Sequence, residues 1–146
     1  MPILRGRIRP EGALATVTIG PSLFAVESGA ADAARTIRVQ AIFDTGADIT
    51  VLQEGVAERV GLFPHDVIDV AGMHGSTASC HVYDVHLTFP DAGIVFPNLT
   101  VVESRTTSSA HGQVLIGRSV LWKGVFVYDG LRHTYSFETP DPAATS

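Results

Sequence analysis

Short segments in which apolar and polar side chains alternate recur along this chain, and they constrain its fold more than any other feature. Residues 37–43 carry apolar side chains at every second position, and residues 14–19 and 82–89 follow the same pattern. Such a period of two is typical of strands that turn one apolar face towards a core. A chain of 146 residues, 45% of them hydrophobic, is long enough to bury one such core.

Other β-prone segments are bounded by turn residues. They are residues 49–52, 93–102, 114–116, 125–128 and 131–137. Pro97 cannot donate to a strand ladder, so we expect an edge or a bend there. The Asp129-Gly130 pair predicts a two-residue hairpin in which both turn residues have positive φ.

Helix-forming segments are few. Residues 54–60 can form about two turns, which Gly61 would end, and residues 119–123 can form another short turn. Many short strands with few helical turns predict a small all-β barrel or sandwich. The two prolines of residues 139–146 predict a disordered tail, which leaves residues 1–138 as one domain.

Composition excludes several classes of protein. Ten Lys and Arg against fifteen Asp and Glu give a net charge of -5, which does not suit a nucleic-acid binder. No apolar run approaches the roughly 20 residues that a membrane-spanning helix needs, so we expect no membrane association. The single cysteine, Cys80, cannot form an internal disulfide. Together with the lack of a secretory signal, this predicts a cytoplasmic location.

Residues 41–52 (AIFDTGADITVL) place Asp44 between an apolar strand and a Thr45-Gly46 turn. An ionised carboxylate in such surroundings is costly unless it is hydrogen-bonded or shares a proton. Gly46 lets the backbone turn tightly and brings its amide close to the acid, and the Thr45 hydroxyl can hold the loop. This setting indicates that the Asp44 carboxylate is functional.

An Asp-Thr-Gly or Asp-Ser-Gly tripeptide alone is weak evidence, because it occurs by chance in roughly 5–10% of chains this long. Most such tripeptides are ordinary surface turns. A second segment strengthens the interpretation. In residues 114–122 (VLIGRSVLW), an apolar triplet leads into Gly117-Arg118 and then into a short apolar helix.

Together, residues 43–48 (FDTGAD) and 115–118 (LIGR) resemble the motifs of the retropepsin family, the retroviral-type aspartic proteases and their cellular and bacterial relatives. The order and separation of the two motifs also match that family. The resemblance implies an all-β fold, a small closed barrel of the retropepsin type with one or two short helices. It also implies a partner copy, because the chain is about half of a pepsin-like enzyme.

A Gly-containing turn lies midway between the motifs, within residues 69–77. In retropepsins this place belongs to the flap, a β-hairpin that folds over bound peptide. The resemblance therefore implies substrate contacts for Gly72, Met73, His74 and Gly75. Two glycines would make the tip mobile, as a lid must be, although an ordinary loop is the alternative interpretation.

The resemblance assigns structural support to Gly117 and Arg118. The arginine typically pairs with the acid that Asp48 matches here, through a bidentate guanidinium–carboxylate contact. The chain departs from the family at Ser119, where relatives usually carry Asp or Asn. We expect this change to affect a helix-capping or interface contact and to leave the chemistry intact.

The family's reaction needs two carboxylates, so the resemblance implies a homodimer in which Asp44 of each copy meets on a two-fold axis. Two such carboxylates share a proton and titrate as a pair. Thr45 would brace the two loops across the axis, Gly46 would contact the substrate backbone, and Ala47 and Asp48 would line the cleft. The implied substrate is an extended peptide, and the reaction needs no metal or organic cofactor.

Metal and thiol sites are weaker alternatives. The chain has six histidines, but His81 and His86 are five residues apart and would point to opposite faces of a strand. Cys80 and His81 are adjacent on the same strand, so their side chains also face apart, which is unsuitable for a thiol nucleophile.

Two other functions remain open beside the aspartic endopeptidase. One is a retropepsin-like binding or scaffold domain without proteolysis, since fold does not guarantee function. The other is an unrelated small β-barrel that binds a ligand, in which Asp44 merely caps a turn.

Overall fold

The computed structural model describes residues 1–71, 75, 77–104 and 112–141. Within them the chain is predominantly β, with three helices of four or five residues. In chain order the elements are β1 (Ile3–Arg9), β2 (Gly12–Pro21), α1 (Leu23–Glu27), β3 (Ile37–Phe43), β4 (Val51–Gln53), α2 (Val56–Val60), β5 (Asp66–Ala71), β6 (Thr77–Phe89), β7 (Ile94–Ser104), β8 (Val114–Ile116), α3 (Arg118–Leu121), β9 (Val125–Asp129) and β10 (Thr134–Glu138).

Six strands form a closed barrel. Their order is β6-β7-β4-β8-β3-β2, and the pairing of β2 with β6 closes the ring. Most neighbours are antiparallel, but β8 is parallel to β3, and β4 is parallel to β7. The predicted all-β closed barrel is therefore confirmed.

Four strands lie outside the barrel. β5 pairs with β6 at one end of the sheet, and β1, β10 and β9 extend its other end. β1 pairs briefly with β2 at Ile8 and Arg9, and pairs along most of its length with β10. β10 in turn pairs with β9, which ends the sheet. The chain thus forms a barrel with a terminal three-stranded sheet in the order β1-β10-β9.

Aromatic rings form the part of the core directly beneath the end of β3. The Phe43 ring lies 5.7 Å from Phe89 and 5.8 Å from Phe137, measured between ring centroids. It also contacts Phe126 at 4.9 Å and Tyr135 at 5.3 Å. Phe43 therefore joins the barrel to the terminal sheet, immediately before Asp44 in the sequence.

The described residues contain a third helix, α1, whereas one or two helices were expected. It begins after Pro21, where the Ser22 hydroxyl accepts a hydrogen bond from the Ala25 amide at 3.2 Å. This is an N-cap, which satisfies one of the free amides at a helix start. The two predicted helices are present at α2 and α3, and Gly61 ends α2 in the left-handed conformation, with a φ of 76°.

The predicted two-residue hairpin is wrong. Asp129 pairs with Thr134, so four residues connect β9 to β10, and Gly130 does not have a positive φ. The reason lies in the Asp129 carboxylate, whose Oδ1 accepts hydrogen bonds from the amides of Leu131 and Arg132 at 3.0 Å each. These bonds widen the turn, and His133 takes the positive φ, 54°.

Pro97 lies within a continuous β7, at a shift in register. Val85 pairs with Leu99, whereas Leu87 pairs with Phe96, so β7 carries one extra residue there. Proline has no backbone N–H to donate, and the bulge provides a position where the ladder does not need one. The predicted bend is therefore confirmed.

The residue that directly follows β10 packs against the segment that precedes β1. Thr139 is buried, and its amide donates to the Pro2 carbonyl at 3.1 Å. Residues 142–146 lie outside the described residues, so the boundary at residue 138 and the disordered tail stay predictions.

Candidate active site

The two sequence motifs meet because the strands that precede them are parallel neighbours. Phe43, the last residue of β3, pairs with Ile116, the last residue of β8. The Asp44 amide then donates to the Ile116 carbonyl at 2.8 Å. Parallel strands end at the same edge of a sheet, so the Asp44 turn and Gly117-Arg118 lie side by side.

Asp44 is half-buried in a tight turn. Its Oδ1 accepts a hydrogen bond from the Gly46 amide at 2.8 Å, and its carbonyl accepts one from the Ala47 amide at 3.3 Å. A side chain at residue 46 would put its Cβ 3.2 Å from Oδ1, so glycine allows this close approach. Within the described part of the chain no hydrogen bond reaches Oδ2, and this oxygen remains available to other groups.

Arg118 holds the turn from the other strand. Its amide donates to the Ala47 carbonyl at 2.8 Å, and its Nη1 donates to the Thr45 carbonyl at 3.0 Å. The expected ion pair with Asp48 is not found among the described residues. Asp48 is exposed, where water solvates a carboxylate well, and the guanidinium instead satisfies a turn carbonyl.

Gly117 fits beneath the turn only because it has no side chain. A Cβ at this position would lie 2.6 Å from the Ile49 carbonyl carbon and 3.0 Å from the Ala47 oxygen, and would overlap the Ile49 oxygen. These neighbours are backbone atoms and cannot rotate away. The glycine of the second motif is thus required by the packing of the two loops.

Thr50 and Ser119 form a hydrogen-bonded pair that the sequence analysis did not assign to the site. Thr50 is fully buried, and its Oγ1 accepts from the Gly117 amide at 3.2 Å. The Ser119 hydroxyl lies 3.0 Å from Thr50 Oγ1 and accepts from the Thr50 amide at 3.1 Å. The serine that departs from the family pattern therefore still caps the turn, as an acid or amide oxygen would.

The hairpin of β5 and β6 occupies the predicted place of the flap. Its strands pair from Asp66 with Val82 out to Ala71 with Thr77. Gly75 has a φ of 74°, which suits a turn. The other predicted tip residues, Gly72, Met73 and His74, lie outside the described residues, so substrate contact by this hairpin stays a prediction.

Tyr135 packs against Phe43, the residue that directly precedes Asp44. Its ring lies against Phe43, and its hydroxyl donates to the Leu14 carbonyl at 2.6 Å. Burial, with a smaller contribution from Asp91, raises the pKa of Tyr135 to about 12. The phenol therefore stays protonated over the physiological range and keeps its hydrogen bond to β2.

In the ranges that the structure describes, no three His, Cys, Asp or Glu side chains group so as to hold a metal ion. No helix in those ranges has the length and apolar character to cross a membrane.

Comparisons with known proteins agree with this geometry. A sequence profile described as "Aspartyl protease" matches residues 34–120, which contain both motifs. A search of curated proteins found no match. A retropepsin-like aspartic protease from Rickettsia conorii has a similar structure, with a TM-score of 0.61 at 12% identity over 92% of this chain and 89% of that one.

The EIAV protease, solved in complex with the inhibitor HBY-793, is also similar, with a TM-score of 0.51 at 15% identity over 75% of this chain and 84% of that one. At such identities the two structures establish the retropepsin-like fold alone. The profile, however, spans more than half of the chain, from before β3 to within α3. The chain therefore belongs to the aspartyl protease family.

Proposed function

We propose that the chain is a homodimeric aspartic endopeptidase in which Asp44 of each copy supplies one catalytic carboxylate. The observation that carries the proposal is the setting of Asp44. It is half-buried at the end of a barrel strand, with one oxygen fixed by the Gly46 amide and the other free of protein partners in the described residues.

Two copies are needed because one chain offers one such carboxylate. Two carboxylates close together cannot both ionise easily, so they share one proton and titrate as a coupled pair. The pair then contains a base and an acid at the same pH. A symmetric dimer supplies this arrangement from a single sequence.

The reaction proceeds by attack of water on the scissile carbonyl. The ionised Asp44 takes a proton from a water lodged between the carboxylates, and the protonated Asp44 donates a hydrogen bond to the carbonyl oxygen. The water oxygen bonds to the carbonyl carbon to give a tetrahedral diol. Return of a proton to the leaving nitrogen breaks the C–N bond and yields a carboxylic acid and an amine.

The neighbouring residues take the roles that their positions favour. Thr45 is exposed beside Asp44, which suits a contact between the two turns across the axis. Gly46 is also exposed, where its backbone can contact an extended peptide, and Ala47 and Asp48 follow along the same loop. The hairpin of β5 and β6 would close over the peptide as a flap.

A single substitution tests the catalytic role. We expect Asp44→Asn to lower peptide cleavage by about 10³-fold or more, because the amide can neither take nor hold the shared proton. Cleavage is measured by mass spectrometry on a peptide library, from mildly acidic to neutral pH. Asp91→Asn is the matched control, since it removes the same charge from an exposed turn between β6 and β7.

Each result separates the proposed functions. Cleavage by the wild type and by Asp91→Asn, but not by Asp44→Asn, supports the endopeptidase. Equal cleavage by Asp44→Asn would refute the mechanism. A folded wild-type dimer that cleaves no peptide would favour the binding or scaffold domain. The cytoplasmic location stays a prediction.

A further inference from the structure

One face of β1 carries a row of arginines. Arg5, Arg7 and Arg9 alternate along the strand, and all three are exposed. Alternate residues of a strand point to the same face and lie about 6.7 Å apart. Within the described residues no carboxylate forms an ion pair with any of them, and β1 itself contains no acid. This arginine row therefore presents three uncompensated positive charges to solvent.

The arginine row is exceptional in a chain with a net charge of -5. Three of the ten Lys and Arg residues of the whole sequence lie on this one strand of seven residues. The local potential above β1 is therefore opposite in sign to the net charge of the chain. An anionic partner is attracted to this strand and repelled by much of the remaining surface.

A groove of about 300 Å³ lies beside the arginine row, on the outer face of the terminal sheet. Directly paired residues of neighbouring strands share a face of the sheet. Arg5 pairs with Ser136, which pairs with Val127, and these three residues line the groove. Thr134, which pairs with Arg7, also lines it. Arginines thus form one wall, the small hydroxyl residues of β10 form the floor, and β9 forms the other wall.

The wall that β9 forms is apolar. Val125 is 61% exposed and Val127 49%, and the strand register places both on the same face as the arginine row. Asp129 also lines the groove, but its Oδ2 lies 3.0 Å from Nη1 of Arg132. Its Oδ1 accepts a hydrogen bond from the Leu131 amide, so the charge of this acid is compensated. The groove thus has a cationic wall opposite an apolar wall.

We propose that this groove binds an extended segment of a partner protein in which acidic and apolar residues alternate. In an extended chain, successive side chains point in opposite directions, so one set faces β1 while the other faces β9. The acidic set repeats at the same spacing of about 6.7 Å as Arg5 and Arg7. Each guanidinium can then form a bidentate contact with one carboxylate, and the apolar set packs on Val125 and Val127.

The groove suits a peptide better than a nucleic acid or a membrane. Proteins bind single-stranded nucleic acids by stacking the bases on aromatic rings. The rings of β9 and β10 belong to the opposite face of the terminal sheet, at Phe126, Tyr128, Tyr135 and Phe137. An anionic membrane is broad and would also meet Glu138, an acid on the same face as the arginine row. The cationic wall is one strand wide, which is the width of a single extended chain.

This interaction goes beyond the proposed reaction at Asp44. Phe126 and Tyr135, on the inner face of the terminal sheet, pack against Phe43, so the groove lies on the other side of that sheet from these contacts. The test therefore measures binding and needs no cleavage. Every chain in it carries Asp44→Asn, so that the peptide probe stays intact, and this Asp44→Asn chain is the parent.

Fluorescence anisotropy with the labelled peptide Glu-Val-Glu-Val-Glu-Val-Glu measures the interaction. Replacing both Arg5 and Arg7 by glutamine should raise the dissociation constant at least about tenfold, because two bidentate contacts are lost. Arg38→Gln is the matched control, since Arg38 is exposed on β3 and has no ion pair in the described part of the chain. Its dissociation constant should stay within about twofold of the parent's. Added salt should weaken binding, because it screens exposed charges.

Two further peptides test the charge and its spacing. Gln-Val-Gln-Val-Gln-Val-Gln has no carboxylate side chains, and Glu-Glu-Glu-Glu-Val-Val-Val keeps the composition without the alternation. Each should bind at least about fivefold more weakly than the alternating acidic peptide. A chain with both Arg5→Glu and Arg7→Glu should instead bind Lys-Val-Lys-Val-Lys-Val-Lys, because the charges are exchanged. Such a gain of binding cannot come from unfolding, and circular dichroism verifies the fold of each variant.

The outcomes decide the proposal and separate it from the endopeptidase. A parent that does not bind the alternating acidic peptide, or that binds the block peptide equally well, would overturn the groove. Equal binding by the parent and by the chain without Arg5 and Arg7 would also overturn it. So would tighter binding of a single-stranded oligonucleotide or of phosphatidylserine vesicles through the same arginines. Binding that requires both arginines, beside a wild type that cleaves no peptide, would support the groove and refute only the endopeptidase.

Discussion

Replacing Gly117 by alanine tests how closely the two loops of the candidate site depend on each other. The new Cβ would meet the Ile49 carbonyl carbon at 2.6 Å, about 0.8 Å inside ordinary contact. Because the obstacle is backbone on a loop that Arg118 also holds, either β8 or the loop of residues 44–50 must move.

The expected cost has two parts. Overpacking of this kind typically costs about 1–3 kcal/mol. The displacement also strains the 2.8 Å hydrogen bond between the Arg118 amide and the Ala47 carbonyl, which contributes roughly 1 kcal/mol. Lower chain entropy in the unfolded state offsets about 0.4–1 kcal/mol. We therefore expect the free energy of unfolding to fall by about 1–4 kcal/mol.

Urea denaturation at one fixed protein concentration measures this change. Gly130→Ala is the matched control, since its Cβ would lie no closer than 3.8 Å to Tyr128 and its φ is not positive. Its stability should stay within about 0.5 kcal/mol of the wild type. A shift near 1 Å in the Asp44 turn should also lower kcat/KM about 100-fold. If Gly117→Ala were as stable and active as Gly130→Ala, the close-packing account would be wrong.

Two further substitutions test the support of the site. Thr50→Val keeps the shape but leaves the buried Gly117 amide without its acceptor, so the free energy of unfolding should fall by about 1–3 kcal/mol in urea. An unchanged midpoint would exclude a role for this hydroxyl. The pKa of Tyr135 is raised from 10.0 to about 12, so its contribution to stability is complete below pH 10 and is lost as pH rises towards 12. Tyr135→Phe should remove this part of the alkaline decline, measured by denaturation at several pH values; an identical slope would refute the assignment.

The strands that alternation predicted are those with one buried face. β3 and β6 alternate because each packs one side on the core. β5 was missed because it is exposed along most of its length and so carries no apolar face for the pattern to show. β1 was missed although Arg5, Arg7 and Arg9 alternate with less polar residues, since Gly6 weakens the strand signal.

The candidate site was predictable as far as its motifs and no further. Asp44, Gly46 and Gly117 have local signals, since each occupies a turn whose geometry restricts the residue type. The Thr50–Ser119 pair has none, because its partners are 69 residues apart and either hydroxyl alone suits a surface position. The bond from Arg118 to the Thr45 carbonyl could not be predicted for a related reason. Every residue has a backbone carbonyl, so an acceptor of this kind is not visible in the sequence.

The order of the barrel strands explains why these two motifs occur together. β8 lies between β3 and β4, parallel to the first and antiparallel to the second. The chain must therefore cross the end of β8 on its way from β3 to β4, and residues 44–50 form that crossing. A loop drawn tightly over a strand end leaves no room for a side chain at Gly117, and it raises Asp44 to the rim of the barrel. The loop that carries Asp44 therefore requires a glycine at position 117, although some seventy residues separate the two positions.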